Sequence, residues 1–230
     1  TRLGGKSEMI TQLGDDPFGD KIEEALEENG IGTSHVLRTK EANTSLAFVA
    51  LKEDGNREFS FYRKPGADML FSKEKVETDW FKDVYALHFS MKEAHKKAIE
   101  VATEAGAIIS FDPNLRFALW ENLEDLKKAV LEFLPLAHVL KLSDEELYFL
   151  TGEDSIEAAK EKLFVGNVHL LIYTRGADGA ECYTKKANAQ SKGKKVKAVD
   201  TTGAGDAFID SFLYQLYADG VTEADLPELT

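Results

Sequence analysis

The stretch "KAVDTTGAGDAFIDSF" (residues 197–212) joins a short alternating segment to two glycines, an aspartate and an amphipathic segment. Apolar side chains then recur at helical spacing, which predicts a helix that begins near Gly205 and buries one face. The residues expected on that face are Phe208, Ile209, Phe212, Leu213, Leu216 and Tyr217. A glycine turn between a strand and a helix usually holds phosphate. This turn carries the acid Asp206 where a phosphate-binding loop carries a lysine.

The turn offers backbone amides and a carboxylate side by side. The free amides of a helix N-terminus, here with those of Gly203, Ala204 and Gly205, form a candidate anion hole. Asp206 can accept a proton from a hydroxyl group. Together these groups suit phosphoryl transfer to an alcohol, which needs positioning and charge neutralisation more than covalent chemistry. The alternative is an ordinary glycine-rich turn with an aspartate that favours the first turn of a helix.

Helix and strand patterns alternate along the chain from about Asp68. The strands are mostly continuous apolar runs, which is typical of a sheet covered by helices on both faces. The pattern predicts strands at 84–89, 107–111, 138–142 and 168–174, and helices at 92–104, 123–134, 144–150 and 156–164. The predicted fold class is therefore α/β, with a doubly wound, mainly parallel sheet flanked by helices.

The first part of the chain follows a different pattern. Asp16 and Pro17 mark an N-cap and a first helical residue, and Asn29–Gly30 mark the end of that helix. Two β-rich segments at 44–51 and 57–62 are separated by "KEDGN", which predicts a hairpin. We expect this hairpin to form a small sheet of its own.

Polar residues follow several strands of the predicted parallel sheet. In such folds the ligand crevice lies outside the carboxyl ends of the strands. Those ends carry Asp112, Lys141–Ser143, Thr174–Gly176 and Thr201–Asp206. We therefore expect these groups to converge on one edge of the sheet.

The segment "FDPNLR" (111–116) is a second candidate for the site. Pro113 favours extended geometry at Asp112, and an extended segment would place Asp112, Asn114 and Arg116 on one side. Such a set suits a hydroxylated or phosphorylated ligand, with Arg116 able to grip phosphate oxygens. A strand exit with turn residues and a surface arginine is equally compatible with these residues.

Three further segments allow both a structural and a functional role. In "KLSDEEL" (141–147), Ser143 and Glu146 have the spacing of a capping box, and Lys141 stands at a strand end where it can approach a nucleotide. In "TRGADGA" (174–180), two glycines after a strand predict a hairpin turn. In "EFSFYRKPGAD" (58–68), alternation predicts a strand that ends at Tyr62 and Arg63, with an edge strand as the simpler interpretation.

Composition excludes several classes of function. The formal charge is −13 over 230 residues, which disfavours nucleic acid or an anionic membrane as a partner. A single cysteine, Cys182, rules out an internal disulfide and fits a reducing compartment. The five histidines form no metal-binding motif. Without a membrane-spanning run or a signal peptide, we expect a cytoplasmic location.

Several blocks, in order, resemble the ribokinase-like sugar kinases, the PfkB carbohydrate kinase family. "DTTGAGDAF" (200–208) resembles the C-terminal signature of that family, and "LGGKSEMITQLGDDPFG" (3–19) resembles its early strand–turn–helix segment. "FSFYRKPGADMLF" (59–71) and "DPNLRFALW" (112–120) are similar to the fructokinase branch. "KLSDEELYFLTG" (141–152) and "YTRGADGAECY" (173–183) resemble the nucleotide-side segments.

The resemblance implies a role for each candidate residue. Asp206 is the implied catalytic base, Arg116 a second catalytic residue that contacts phosphate, and Gly203, Ala204 and Gly205 the anion hole. Glu146 would order magnesium-bound water. The implied nucleotide contacts are Lys141, Thr174, Gly176, Gly179 and Thr201. The implied substrate contacts are Tyr62, Arg63, Asp112, Asn114 and Asp206.

The implied activity is ATP-dependent phosphorylation of a primary hydroxyl of a sugar, most simply fructose, with Mg²⁺ and a monovalent cation such as K⁺ as the implied ions. A 2-keto-3-deoxygluconate kinase, a ribokinase, a nucleoside kinase and a non-catalytic binding protein of the same fold are the alternatives. We expect one ribokinase-like domain over residues 1–230, incomplete at both ends, with a lid at about residues 33–63. Because exposed sheet edges are usually covered, a homodimer through the lid is a further expectation.

Overall fold

The protein is described by a computed structural model. The described residues are 1–51, 57–63, 65–89, 93–194, 201 and 203–230. They form two compact units, Thr1–Trp80 and Phe81–Thr230.

The first unit begins with a strand–helix–strand element. Strands β1 (Glu8–Gly14) and β2 (Gly32–Thr39) pair in parallel, and helix α1 (Pro17–Glu28) connects them. The carboxylate of Asp16 accepts hydrogen bonds from the N–H groups of Phe18 and Gly19 at 3.0 and 2.9 Å, so the predicted N-cap is confirmed.

The predicted hairpin is also confirmed. Strands β3 (Leu46–Leu51) and β4 (Arg57–Tyr62) pair antiparallel as a separate two-stranded sheet. The "KEDGN" connection lies outside the described residues. Strand β2 falls within the segment expected to form a lid, but it pairs with β1 and not with the hairpin. Strands β3 and β4 therefore form the small separate sheet without β2.

The second unit is built on a six-stranded sheet in the order β10-β9-β8-β7-β6-β5. Strands β5 (Ala86–Phe89), β6 (Ile108–Phe111), β7 (Val139–Ser143) and β8 (Leu170–Thr174) run parallel. Strands β9 (Gly179–Tyr183) and β10 (Asn188–Lys192) extend the sheet antiparallel.

Helices connect and cover this sheet. They are α2 (Glu93–Glu104), α3 (Leu123–Phe133), α4 (Asp144–Thr151), α5 (Ile156–Leu163) and α6 (Ala204–Ala218). The limits of these elements lie within about two residues of the sequence predictions, because each element carries its own apolar period and its own caps.

The central parallel strands β6, β7 and β8 are buried on both faces, as the continuous apolar runs predict. On one face, Ile108, Val139 and Leu170 form a cluster with the α6 residues that point toward them, which are Ile209, Leu213 and Leu216. On the opposite face, the ring of Phe111 lies 6.5 Å from the ring of Phe133 on α3. Successive strand residues point to opposite faces, so a central strand is apolar wherever helices pack on both of its faces. The doubly wound α/β fold class is confirmed.

Helix α6 buries a narrower face than its sequence predicts. Phe208 is 36% exposed and Tyr217 is 56% exposed, so the expectation that both lie in the core is wrong. The spacing of Ile209, Leu213 and Leu216 follows a single stripe of the helix. Phe208 and Tyr217 flank that stripe, and the half-exposed ring of Tyr217 packs edge-on against Tyr85, with centroids 5.1 Å apart. No helix formed by the described residues is long and apolar enough to cross a membrane.

Candidate active site

One face of the sheet changes from apolar to polar along the strands. Ala86 pairs with Ile108 and His88 with Ser110 across β5 and β6, while Ser110 pairs with Val139 of β7. Register partners and every second residue share a face. This face therefore carries apolar residues near the start of each strand and polar ones near its end, namely His88, Ser110, Asp112 and Lys141.

Helix α6 covers this same face. Its later turns pack on the apolar half through Ile209, Leu213 and Leu216. Its first turn lies over the polar half, since a Cβ atom added to Gly205 would lie 3.1 Å from Nζ of Lys141. The strand ends and the GAGD turn thus meet, as expected from the topology.

Lys141 and Asp112 form a buried ion pair beneath the turn. Nζ of Lys141 donates to Oδ2 of Asp112 at 2.7 Å, and the two side chains are 8% and 3% exposed. Burial raises the pKa of Asp112, and Lys141 opposes that shift. The pair places a cationic group under the helix N-terminus, where the free amides already favour an anion.

Asp112 is occupied within the protein. Its second oxygen, Oδ1, accepts the N–H of Asn114 at 3.1 Å, so both carboxylate oxygens have protein partners. This supports a structural role for Asp112 beside Lys141. A direct contact of Asp112 with substrate stays a prediction.

The segment after Asp112 is not extended, so the condition for Asp112, Asn114 and Arg116 to share one side is not met. Strand β6 ends at Phe111, and Asn114 has a φ of 45°, in the left-handed region. The hydrogen bond from the Asn114 N–H to the Asp112 carboxylate turns the chain, and asparagine tolerates this conformation better than most residues. Arg116 is exposed at the start of a short 3₁₀ turn over Phe117–Leu119. Asp112, Asn114 and Arg116 therefore do not share one side of an extended segment.

The GAGD turn has the geometry of a helix start. Gly203 caps α6 with a φ of 75°, and the helix begins at Ala204, one residue before the predicted position. The N–H of Ala204 donates to the carbonyl of Thr201 at 3.1 Å, and the N–H of Ala207 donates to Gly203 at 2.8 Å. Asp206 is exposed, in the third position of the helix. Its carboxylate is open to solvent at the end of the helix that attracts anions.

Two residues of this cluster, His88 and Asp210, were missed by the sequence analysis. His88 lies 3.2 Å from the Oγ of Ser110 through Nδ1. It keeps contact with solvent, but the protein around it removes part of its hydration and lowers its pKa, whereas Asp112, Asp210 and Asp206 raise the pKa and Lys141 lowers it. Asp210 is exposed, but the protein around it removes part of its hydration and raises its pKa, an effect that His88 opposes and Asp206 reinforces.

A signal for Asp210 was present in the sequence. It follows Asp206 by four residues, so both carboxylates lie on one side of α6. The sequence offered no comparable signal for His88, because its position opposite Ser110 depends on strand register.

Helix α4 begins with the predicted capping box. Ser143 accepts from the N–H of Glu146 at 3.3 Å, and Glu146 accepts from the N–H and the Oγ of Ser143 at 2.8 and 2.9 Å. The other oxygen of Glu146 accepts the N–H of Leu115 at 3.0 Å. Glu146 therefore joins the α4 start to the segment after β6.

Both oxygens of Glu146 are engaged, so this side chain fits an indirect, water-mediated role toward a cation better than direct coordination. Within the described residues, no three His, Cys, Asp or Glu side chains are grouped so that they hold a metal ion by themselves.

The predicted β8–β9 hairpin is confirmed. Three of the predicted nucleotide-side residues, Thr174, Gly176 and Gly179, lie at its turn. Thr174 ends β8 and donates from Oγ1 to the carbonyl of Leu142 at 3.4 Å. Gly176 and Gly179 flank a 3₁₀ turn and have φ values of 50° and 106°. A Cβ atom on Gly179 would meet the Ser191 carbonyl oxygen at 2.0 Å, so only glycine fits there. Thr201 is exposed just before the GAGD turn.

Tyr62 and Arg63 belong to the first unit. Tyr62 is exposed and its ring packs edge-on against Phe48 with centroids 5.5 Å apart. Arg63 binds Asp68 through Nε at 3.0 Å and through a second guanidinium nitrogen, and Asp68 also accepts from Ser45. Arg63 is thus held by its own unit, and its contact with sugar stays a prediction.

The family to which the chain belongs follows from its match to a known sequence profile. The sequence profile of the pfkB family carbohydrate kinases matches residues 1–228. The chain belongs to the pfkB family of carbohydrate kinases. The resemblance seen in the sequence motifs of this pfkB protein is confirmed.

Relatives within the pfkB family point to its fructokinase branch. Fructokinase-2 of Solanum habrochaites is 42% identical over 234 residues, which span 98% of this chain and 71% of the relative. The crystal structure of fructokinase with bound ATP from Xylella fastidiosa has a TM-score of 0.91 at 37% identity and covers 99% of this chain and 73% of that chain. A Vibrio cholerae O395 fructokinase in its fructose, ADP and calcium ion bound form has a TM-score of 0.83 at 35% identity. The match covers 94% of this chain and 72% of the Vibrio chain.

Proposed function

We propose that this pfkB protein transfers the γ-phosphoryl group of ATP to a primary hydroxyl of fructose. The observation that carries the proposal is the exposed Asp206 on the first turn of α6, next to Gly205, whose backbone lies against the buried Lys141 ammonium. The fructokinase relatives, one with bound ATP and one with fructose and ADP, support the choice of substrates.

The arrangement divides the reaction between a base and an anion site. Asp206 accepts the proton of the sugar hydroxyl, whose oxygen attacks the terminal phosphorus of ATP while the bond to the ADP oxygen breaks. Amides at the start of α6 and the Lys141 charge stabilise the phosphoryl oxygens. Because the Ala204 N–H already bonds to Thr201, Gly203 and Gly205 carry more of this role. Arg116, exposed after the Asn114 turn, supplies a further cation.

A divalent cation, Mg²⁺ in our proposal, would neutralise phosphate charge, with Glu146 acting on its water shell. A monovalent cation such as K⁺ and nucleotide contacts from Thr174, Gly176, Gly179 and Thr201 remain part of the proposal. The cytoplasmic location expected from the sequence is likewise kept as a prediction.

The test of the base is the substitution Asp206→Asn. It keeps the shape of the side chain and removes the proton acceptor, so we expect kcat to fall by about 10²–10⁴-fold with little change in affinity for fructose. Coupled measurement of ADP release gives kcat and KM. Asp219→Asn, at the far end of the same helix, is the matched control and should retain wild-type turnover. Near-normal turnover in Asp206→Asn would remove this residue from the mechanism.

The substrate is tested on a panel of fructose, ribose, 2-keto-3-deoxygluconate and a nucleoside. Fructose should give the highest kcat/KM, and a higher value for any other acceptor would overturn the substrate assignment. If the wild-type protein shows no turnover, thermal unfolding with ATP and fructose separates a binding protein from an inactive chain, because a ligand that binds only the folded state raises Tm.

We also propose that two copies associate through the β3–β4 hairpin. Phe48 and Val49 are exposed on β3, and an exposed apolar edge is a template for pairing. Sedimentation should give the mass of a dimer for the wild type, and Val49→Lys should shift it toward the monomer. A monomeric wild type at micromolar concentration contradicts this proposal.

A further inference from the structure

Asp68 is a charged residue of the first unit to which neither the motifs nor the proposed reaction assigns a role. It lies just after the β3–β4 hairpin and forms an ion pair with Arg63. Nε of Arg63 donates to Oδ2 of Asp68 at 3.0 Å, and Nη2 of Arg63 binds the same oxygen. The side chains of Arg63 and Asp68 are 29% and 21% exposed. The pair is therefore partly withdrawn from solvent and is screened less than an ion pair on the surface.

The Asp68 carboxylate is held in a fixed position. Its other oxygen, Oδ1, accepts a hydrogen bond from the Oγ of Ser45. A Cβ atom added to Gly66 would collide with that Oγ and would lie 2.8 Å from Oδ1 of Asp68, so the close approach of these groups needs a glycine. The carbonyl of Ala67 accepts from Nε2 of Gln12 at 2.9 Å, and Gln12 on β1 is 1% exposed. A buried neighbour thus anchors the backbone next to Asp68.

This geometry leaves Arg63 with donors but with an offset charge. A guanidinium has five N–H donors, and Asp68 engages the donors of Nε and Nη2. Nη1 is left to donate to a ligand hydroxyl. A ligand carboxylate would gain less, because the Asp68 carboxylate already holds one edge of the guanidinium and repels a second negative charge beside it.

We propose that Asp68 is a specificity-determining residue, which neutralises Arg63 so that the first unit favours a neutral sugar over a sugar acid as the acceptor. The inference rests on the proposed kinase function and on the predicted contact of Arg63 with the sugar. It assigns a physical cause to the choice of fructose over 2-keto-3-deoxygluconate, which carries a carboxylate. Ser45 fixes the position of the Asp68 carboxylate without adding charge.

The kinetic test is the substitution Asp68→Asn, which keeps the shape of the side chain and removes its charge. Formation of fructose phosphate, measured with increasing 2-keto-3-deoxygluconate, gives the KM for fructose and the inhibition constant of the sugar acid. The ratio of that inhibition constant to the KM should fall by about tenfold, because the uncompensated guanidinium gains a charge-assisted hydrogen bond to the carboxylate. Asp68→Glu keeps the charge and should keep the wild-type ratio. An unchanged ratio in Asp68→Asn would overturn the proposal.

A variant of the opposite sign separates the effect of charge from a loss of folding. Arg63→Gln leaves the Asp68 carboxylate uncompensated, so the same ratio should rise, whereas a loss of folded protein would leave it unchanged. Ser45→Ala removes a hydrogen bond to Asp68 without changing charge, and Asp20→Asn breaks the contact of Asp20 with Arg38 elsewhere in the first unit. Both controls should keep the wild-type ratio. A fall in Ser45→Ala equal to that in Asp68→Asn would refute a role for charge.

Thermal unfolding tests the inference without turnover. A wild type that phosphorylates no fructose would refute the proposed function, but binding of the sugar acid can still be compared between proteins. We expect 2-keto-3-deoxygluconate to raise the Tm of Asp68→Asn more than that of the wild type, because a ligand of the folded state stabilises it in proportion to its affinity. Equal shifts in the two proteins, or no shift in either, would refute the role of Asp68.

Discussion

The side chain of Lys141 uses one of its three N–H donors on Asp112 and lies beneath Gly205. A lysine at a strand end usually reaches solvent with its charged head, but here α6 closes over it. The energetic consequence is that neither partner of the pair can be removed alone without leaving an unpaired charge in the protein.

Lys141→Met should therefore lower the free energy of unfolding by about 3–5 kcal/mol and also reduce kcat. The double variant Lys141→Met with Asp112→Asn removes both charges and should recover part of the stability, since burying neutral groups costs less. Turnover should stay low in both variants, because the positive charge under the anion site is absent. Urea unfolding and ADP release measure the two effects separately. Recovery of turnover in the double variant would show that the lysine charge is not needed.

At the scale of an element, helix α6 combines packing and chemistry. Ile209, Leu213 and Leu216 dock it on the sheet, and this docking places its first turn over the polar strand ends. Gly203 permits the turn because its φ of 75° lies in the left-handed region, which costs other residues about 1–2 kcal/mol. Positive φ recurs after the helix at Gly220, with a value of 70°.

The two glycines allow a matched test of the anion site. Gly203→Ala and Gly220→Ala should each lower stability by about 1 kcal/mol, because an alanine at either position has a strained backbone. Only Gly203→Ala should also raise the KM for ATP and lower kcat, since it displaces the amides that face phosphate. Thermal unfolding and steady-state kinetics provide the comparison. Equal kinetic losses in the two variants would mean that the Gly203 turn acts through stability alone.

At the scale of the whole molecule, His138 links folding to pH. Its ring is buried at the start of β7, and its Nδ1 accepts the N–H of Ile109 at 3.1 Å. Burial lowers its pKa, Glu223 opposes this shift and His169 adds to it. The folded state thus keeps the ring neutral, while the unfolded chain protonates it below about pH 6.5.

Because the unfolded state then binds more protons, the free energy of unfolding should fall as pH drops below about 6.5, and the fall should end at the lowered pKa of the folded state. His138→Asn keeps an acceptor for Ile109 and should flatten this dependence, although the smaller side chain lowers stability at every pH. Glu223→Gln removes a charge that favours the imidazolium, so the free energy of unfolding should fall more steeply as the pH drops. Urea midpoints at several pH values provide the measurement, and parallel curves for all three proteins would contradict the assignment to His138.

The sequence by itself determined the alternation of strands and helices, the caps at Asp16 and Ser143, and the GAGD start of α6. These features depend on apolar period and on contacts between near neighbours along the chain, so local residues suffice to predict them. It also placed Asp206 and the polar strand ends on one edge, because parallel topology brings carboxyl ends together.

Tertiary structure alone decided which of those polar groups are paired within the protein and which stay free to contact a ligand. The pairing of Asp112 with Lys141 and the placement of His88 opposite Ser110 depend on strand register, and the position of the first turn of α6 over Lys141 depends on how that helix docks. The left-handed turn at Asn114 and the exposure of Phe208 depend on the same long-range packing. Such contacts join residues far apart in the chain, and their energies depend on burial, which a linear pattern of residues does not contain.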